Sequence, residues 1–194
     1  AAKQLGIKEL PVIVVPDKYS LNLMELNVEK QMSLRERTHV SLNLYRMYLN
    51  ESPSMSEDDG RIMDSIENAY YVTLGMAYKE KPRLFGSAYE SILRKVDGFL
   101  SKPLEKAAAE RAERAKALVE TDALAKEIVD KVRNELRIEH PFLYKEIVSS
   151  CSAIKRKKKV KLTFAETFEG LRKNLGNLAA DPSKFRGHRF ASAS

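Results

Sequence analysis

This sequence predicts a mostly α protein with a small α/β start, and three observations predict it. Val12, Ile13, Val14 and Val15 form a run of β-branched residues between Pro11 and Pro16, the appearance of a short strand buried on both faces. After Asp17 the apolar residues recur at spacings of three and four, and they keep doing so along most of the chain, which is the helical period. Ser33 with Glu36, Ser56 with Asp59, Ser87 with Glu90 and Thr163 with Glu166 have the spacing at which a hydroxyl and a carboxylate cap a helix start.

Taken in order, residues 1 to 7 finish a helix that Gly6 stops, and Lys8 and Glu9 lead into the strand. Leu21, Leu23, Met24 and Val28 fall on one face of the next helix. Ser33 then opens another, with Leu34, Leu42, Leu44, Tyr45, Tyr48 and Leu49, that runs to Asn50. Glu51, Ser52, Pro53 and Ser54 break the pattern, so the first module is expected over 1–51. A helical domain follows over 52–138. Its first helix carries Ile62, Met63 and Ile66, with Gly60 in its first turn weakening it. Tyr70, Tyr71, Val72, Leu74, Met76, Ala77 and Tyr78 come next, then a loop from Lys81 to Gly86 and a helix with Tyr89, Ile92, Leu93, Val96 and Phe99.

From Ser101 to Arg137 the chain is Ala-rich, and Pro103 sits where a first helical turn tolerates it. Leu104, Ala108, Arg111, Ala115 and Leu118, then Leu124, Ile128, Val132 and Leu136, keep the helical spacing, with Thr121 expected to cap a fresh helix between the two sets. So sparse an apolar face suits an antiparallel pair or a dimer seam better than a deep core. Glu105, Glu110, Arg111, Glu113 and Arg114 read as a solvated face. Residues 139–180 hold Phe142, Leu143, Tyr144, Ile147, Val148 and Ile154, a basic loop, and an amphipathic helix carrying Phe164, Phe168, Leu171, Leu175 and Leu178. The tail over 181–194 has no periodicity and is expected to be flexible.

Of the 194 residues, 43% are hydrophobic and 31% charged, a balance that suits a soluble folded chain and excludes a disordered one. No apolar run approaches the ~20 residues of a membrane span, and the N-terminus has no signal-peptide pattern. No membrane association is expected, and the expected location is cytoplasmic. Cys151 is the single cysteine, so an internal disulfide is excluded. Starting at Ala1 with no Met, partway through a helix, the chain is expected to be a piece of something longer.

The net charge of +7 points towards an anionic polymer as partner. Lys155, Arg156, Lys157, Lys158, Lys159 and Lys161 hold six of the 34 basic residues within seven positions. Such a run contacts phosphates through counterion release, or it is a solvated loop or a nuclear sorting signal. The three tyrosines between 70 and 78 have two readings as well. They could stack on the bases of a single strand, but their spacing fits core residues of a helix better. Residues 69 to 97 fit a helix-turn-helix in outline, with a loop too long for the standard motif, so an ordinary helical hairpin is the simpler expectation. There is no Walker-type loop, HExxH, CxxC or Gly-x-Ser-x-Gly. His39, His140 and His188 lie far apart, so no catalytic or metal constellation is expected from them.

A resemblance adds to this. The order AAK, a Gly, the strand Val12–Val15, a helix ending in an Asn-containing turn, then a helix with LRER and YRMYL resembles the second half of the N-terminal domain of the ParB-like family, which shares its fold with sulfiredoxin. Ala1, Ala2, Lys3 and Gly6 match the end of that family's helix before the strand. The family's second nucleotide motif, Glu-Asn-x-x-Arg, corresponds to Leu26, Asn27, Val28, Glu29 and Lys30, so the Asn is kept and Lys stands for Arg. Lys supplies the charge but not the bidentate fork. The resemblance covers about a quarter of the chain, and more loosely the run from Glu67 to Leu100 resembles the helical extension of archaeal-type members. It implies CTP with Mg bound by Asn27 and Lys30, DNA partition or chromosome organisation on the nucleoid, and a homodimer. The family's Gly-Glu-Arg-Arg phosphate motif does not occur in this sequence. Two further expectations from other classes are a ParB-like nuclease and a non-enzymatic helical interaction module with a basic surface.

Overall fold

In the computed structural model, which describes residues 32–154 and 162–185, the first helix, α1, is Leu34–Glu51, with Glu36 in its first turn. A carboxylate there complements the exposed N–H groups of the helix start. Thr38, Ser41, Leu42, Leu44 and Tyr45 form its buried face. Helix α2, Gly60–Ser65, is capped by Asp59, whose side chain accepts from Arg61 N. The Tyr48 hydroxyl holds α2 against α1 through Arg61 O at 3.2 Å and Ser65 Oγ at 2.8 Å.

Helix α3, Tyr70–Glu80, buries Tyr70 through Gly75 and Ala77, and a helix that is apolar on nearly all sides belongs in a core. It crosses α1 closely. At Gly75 an added Cβ would lie 2.6 Å from Thr38 O and 3.0 Å from Leu42 Cβ, so only glycine permits this approach. A loop leads through the 3-10 turn Gly86–Ala88 to α4, Glu90–Val96.

Helix α5, Leu104–Leu136, is one unbroken element of 33 residues, about 50 Å long at 1.5 Å per residue. Leu104, Ala107, Arg111, Ala115, Leu118, Asp122, Ala125, Val129 and Val132 make its buried stripe. It ends at Arg137 in the left-handed region, φ 52°. Helices α6, Leu143–Cys151, and α7, Phe164–Ala180, pack on it. A reciprocal capping box opens α7: Thr163 N donates to Glu166 Oε2 at 2.8 Å, and Glu166 N donates to Thr163 Oγ1 at 3.3 Å.

Two apolar clusters form the core. The larger joins α3, α4, α5, α6 and α7, and the smaller joins α1, α2, Val72 of α3 and Leu104 of α5. The mostly α expectation holds among the described residues, where the sole extended pairing is an isolated bridge between Ser56 and Pro103. The strand Val12–Val15, the helix expected after it and the rest of the first 31 positions of the expected 1–51 module lie outside the described residues, and only its last helix, α1, is described. Among them no helix is long and apolar enough to cross a membrane.

Several expectations change. The compact unit begins at Leu34 instead of after Glu51, because α1 packs along α3. No division falls at 138, since the larger cluster runs through α5, α6 and α7. Thr121 starts no new helix: its hydroxyl donates to Ala117 O at 2.7 Å inside the continuous α5. Ser56 and Ser87 do not cap, as Ser56 pairs with Pro103 and Asp59 takes its role, while Ser87 lies in the 3-10 turn before Tyr89. The presumed seam is a true core face, with Ile128 and Val132 buried and Leu124 and Leu136 packed beside them within this one chain. The tail does not begin loose at Asp181, because Pro182–Lys184 make a 3-10 turn that carries Phe185 onto the core.

Candidate nucleic-acid interface

Of the residues expected to form sites, Asn27 and Lys30, and Lys155, Arg156, Lys157, Lys158, Lys159 and Lys161, lie outside the described residues. What flanks the basic run is described. It joins α6 to α7, and a hydrogen bond from the middle of α7 ties that helix to the end of α6, while a local bond holds the backbone that follows α6. Asn174 Nδ2 of α7 donates to the Cys151 carbonyl at 2.8 Å, and Ile154 N donates to Ser152 Oγ at 3.2 Å. On the far side the capping box fixes Thr163, a contribution of about 0.5–2 kcal/mol to the helix. The run therefore departs from and returns to fixed backbone.

The tyrosine patch resolves in favour of packing. Tyr70 and Tyr71 are buried, their rings 4.6 Å apart, and Arg37 donates to the Tyr71 hydroxyl at 3.2 Å. In the helix-turn-helix outline α3 is the first helix and α4 the second, the one that would read a groove; Tyr70, Tyr71, Thr73 and Leu74 of α3 are packed in the core. On α4, Ser91, Arg94 and Lys95 are exposed, and Arg94 pairs with Glu90 at 2.9 Å.

Sequence reasoning missed the buried ion network that organises the loops. Arg111 is fully buried, not on a solvated face. Its Nε and Nη2 bind Glu57 Oε1 and Oε2 at 2.9 and 2.7 Å, its Nη1 binds Asp97 Oδ1 at 2.5 Å and Thr73 Oγ1 at 3.2 Å, and Nη2 also reaches Gly98 O at 2.8 Å. Burial alone would lower the guanidinium's pKa, but the Glu57 hydrogen bonds and the Asp97 charge outweigh it and hold the pKa above its ordinary value. Arg114 adds a second cation on Asp97 at 2.6 Å. Every donor is used inside, so the network fixes loops 52–59 and 97–103 on α5 and offers nothing to a ligand.

A second polar cluster has a buried centre and reaches solvent only at its edge, through Lys81, Lys126 and Phe85. Asp122, itself fully buried on the α5 stripe, accepts from Tyr144 Oη at 2.6 Å and Phe85 N at 3.2 Å. Lys81 Nζ and Lys126 Nζ approach its Oδ2 at 3.0 and 3.4 Å. Burial pushes the carboxyl up, yet Tyr144, Lys81 and the Phe85 amide together hold it below the usual carboxylate range. Burial pushes the Tyr144 phenol up as well. Lys126 also donates to Arg83 O at 3.1 Å, and Phe85 stands edge-on to Tyr144 with ring centres 4.8 Å apart.

An open groove of about 700 Å³ between α5 and the start of α7 is lined by Phe164 and Phe168 and by Lys106, Arg114, Glu110 and Glu113 among others. Its signs of charge are mixed, so it has no bias for an anion. Among the described residues no group of three His, Cys, Asp or Glu could hold a metal. His39 faces Asn43 at 3.2 Å and His140 Nδ1 accepts from Phe142 N at 3.2 Å, both local contacts. No family model, curated protein or solved structure matches this chain.

Proposed function

We propose that this is a DNA-binding protein that holds the phosphate backbone with Lys155, Arg156, Lys157, Lys158, Lys159 and Lys161, and that it acts in the manner of the ParB-like family in DNA partition or chromosome organisation. The observation that carries the reading is charge placement. The net charge is +7, and the run contributes six positive charges, so the rest of the chain is close to balanced. A run of this kind binds through released counterions and not through base edges, so affinity follows salt and ignores sequence. Its place in the sequence between α6 and α7 supports the reading, because the helices that flank it are already formed and need not be ordered at the moment of binding. The resemblance adds CTP with Mg at Asn27 and Lys30, and a homodimer as the working form on the nucleoid.

Salt titration on duplexes of unrelated sequence tests it. With about four phosphates contacted, the slope of log K against log salt is expected near −3 to −4. Replacing Lys157, Lys158 and Lys159 with Gln is expected to flatten it by roughly two to three units, and equally for every duplex. A variant that keeps the parent's slope, or a parent that fails to bind at low salt, refutes the reading and leaves the helical interaction module ahead of it.

A further inference from the structure

The loop between α3 and the 3-10 turn gathers positive charge in a way the basic run does not explain. Arg35 donates to Pro82 O and lies over the Tyr78 ring, 5.2 Å from its centre. Lys81 and Lys126 both reach the same oxygen of Asp122, so their ammonium groups can be no farther apart than those two contacts allow. Arg83 is exposed between them in sequence. Among the described residues, Asp122 is the one carboxylate paired with either lysine, so the two lysines together carry one positive charge beyond what that carboxylate neutralises.

Beside this charge stands an aromatic ring held open. Phe85 is 38% exposed, large for a phenylalanine. It is not loose. Its N–H donates to Asp122 Oδ1, its carbonyl accepts from Ala88 N at 3.0 Å, and its ring rests edge-on against Tyr144. The backbone and one ring edge are fixed, and the ring is left partly in water. A fixed aromatic next to paired cations matches one repeating unit, a base with its phosphate.

We propose that this surface binds an unpaired nucleotide of a single-stranded nucleic acid, the base stacking on Phe85 and the adjacent phosphate held between Lys81 and Lys126. Duplex DNA keeps its bases stacked inside, so the Phe85 contact selects single strands. The basic run then supplies strength on any nucleic acid, and this site supplies preference for strand form. An acidic peptide would satisfy the lysines but has no use for the ring.

The test measures binding of a fluorescent oligothymidylate to the intact chain, with duplex DNA in parallel. Both are repeated in the Lys157, Lys158 and Lys159 to Gln background, which separates failure here from failure of the duplex reading. Phe85→Ala is expected to weaken oligothymidylate binding by about five- to a hundredfold and to leave duplex binding unchanged. Exchanging Lys81 and Lys126 together for Gln is expected to flatten the single-strand salt slope by about 0.7, the value for one phosphate. The chain has eight tyrosines and no tryptophan, so Phe85→Trp introduces a single indole that can be excited at wavelengths beyond tyrosine absorption, and its quenching by oligothymidylate reports stacking directly. Unquenched emission, or equal affinity of Phe85→Ala and the parent, overturns the proposal. So does an oligoglutamate peptide that competes with the same dependence on Phe85.

Discussion

Arg111 offers the sharpest test of how this chain is held together. Substitution by Met keeps an unbranched apolar stem in the buried position and removes all five hydrogen bonds. Asp97 would keep Arg114 at 2.6 Å, but Glu57 would lose the one cation bonded to its carboxylate while keeping the Leu100 amide at 2.7 Å. A fully buried carboxylate stripped of its cation is the costly case, about 3–5 kcal/mol. For a domain of this size that corresponds to a melting temperature lower by roughly 6–20 °C. Lys is no remedy, because it has three donors where five are used and cannot form the bidentate pair with Glu57. Adding Glu57→Gln to Arg111→Met removes the stranded charge, so the double variant is expected to be more stable than Arg111→Met alone, a non-additivity that a double-mutant cycle reads. Urea denaturation followed by circular dichroism supplies each free energy. The exposed pair Arg133 and Asp130 at 3.1 Å is the control, worth about 0–1 kcal/mol. If Arg111→Met costs no more than that pair, the guanidinium is not the centre of a buried network and the reasoning fails.

That network also shows where sequence reasoning stops. Arg111 lies in register with Leu104, Ala115 and Leu118, and a charge on the apolar stripe of a helix is itself a signal that a buried partner exists. Asp122 repeats the signal four residues after Leu118. Neither partner is local. Glu57 is 54 residues from Arg111 and Asp97 is 14 away, both in loops whose course no periodicity reveals. Where the determinants are local the reading succeeds. Thr163, Glu166, Phe164, Phe168, Leu171, Leu175 and Leu178 specify α7 within one stretch, and all of its large apolar positions are buried. The tyrosines of α3 read correctly as core for the same reason. Ser56 has the spacing of a cap and loses the role, because loop 52–59 is drawn against Pro103 and Glu57 points to Arg111. A local rule yields there to contacts made across the fold. Thr121 misled in the opposite sense: a threonine in mid-helix satisfies its hydroxyl on the preceding turn and need not break anything.

Two further predictions concern packing and charge in the same core. Asp122 is held ionised below its ordinary range, so the stability it contributes is present above about pH 4, the unfolded carboxyl value, and is lost as pH falls through the folded value. Asp122→Asn is therefore expected to be less stable than the parent near neutral pH, with the gap closing in acid; a gap that is constant in urea melts across this range removes the ionic reading. Gly75→Ala tests the crossing of α1 and α3. The added methyl would meet Thr38 O at 2.6 Å and Leu42 Cβ at 3.0 Å, both inside ordinary contact distance, and the first is backbone that cannot swing aside. Overpacking of this kind costs about 1–3 kcal/mol, against about 1 kcal/mol gained from replacing a helical glycine. Gly176→Ala on the exposed side of α7 meets nothing within 4 Å, so it keeps the gain without the clash. The two substitutions are chemically the same, yet the first is expected to lower the urea midpoint and the second to raise it. If both raise it, the helices are not pressed together at Gly75, and the close approach that places α3 at the centre of this fold is wrong.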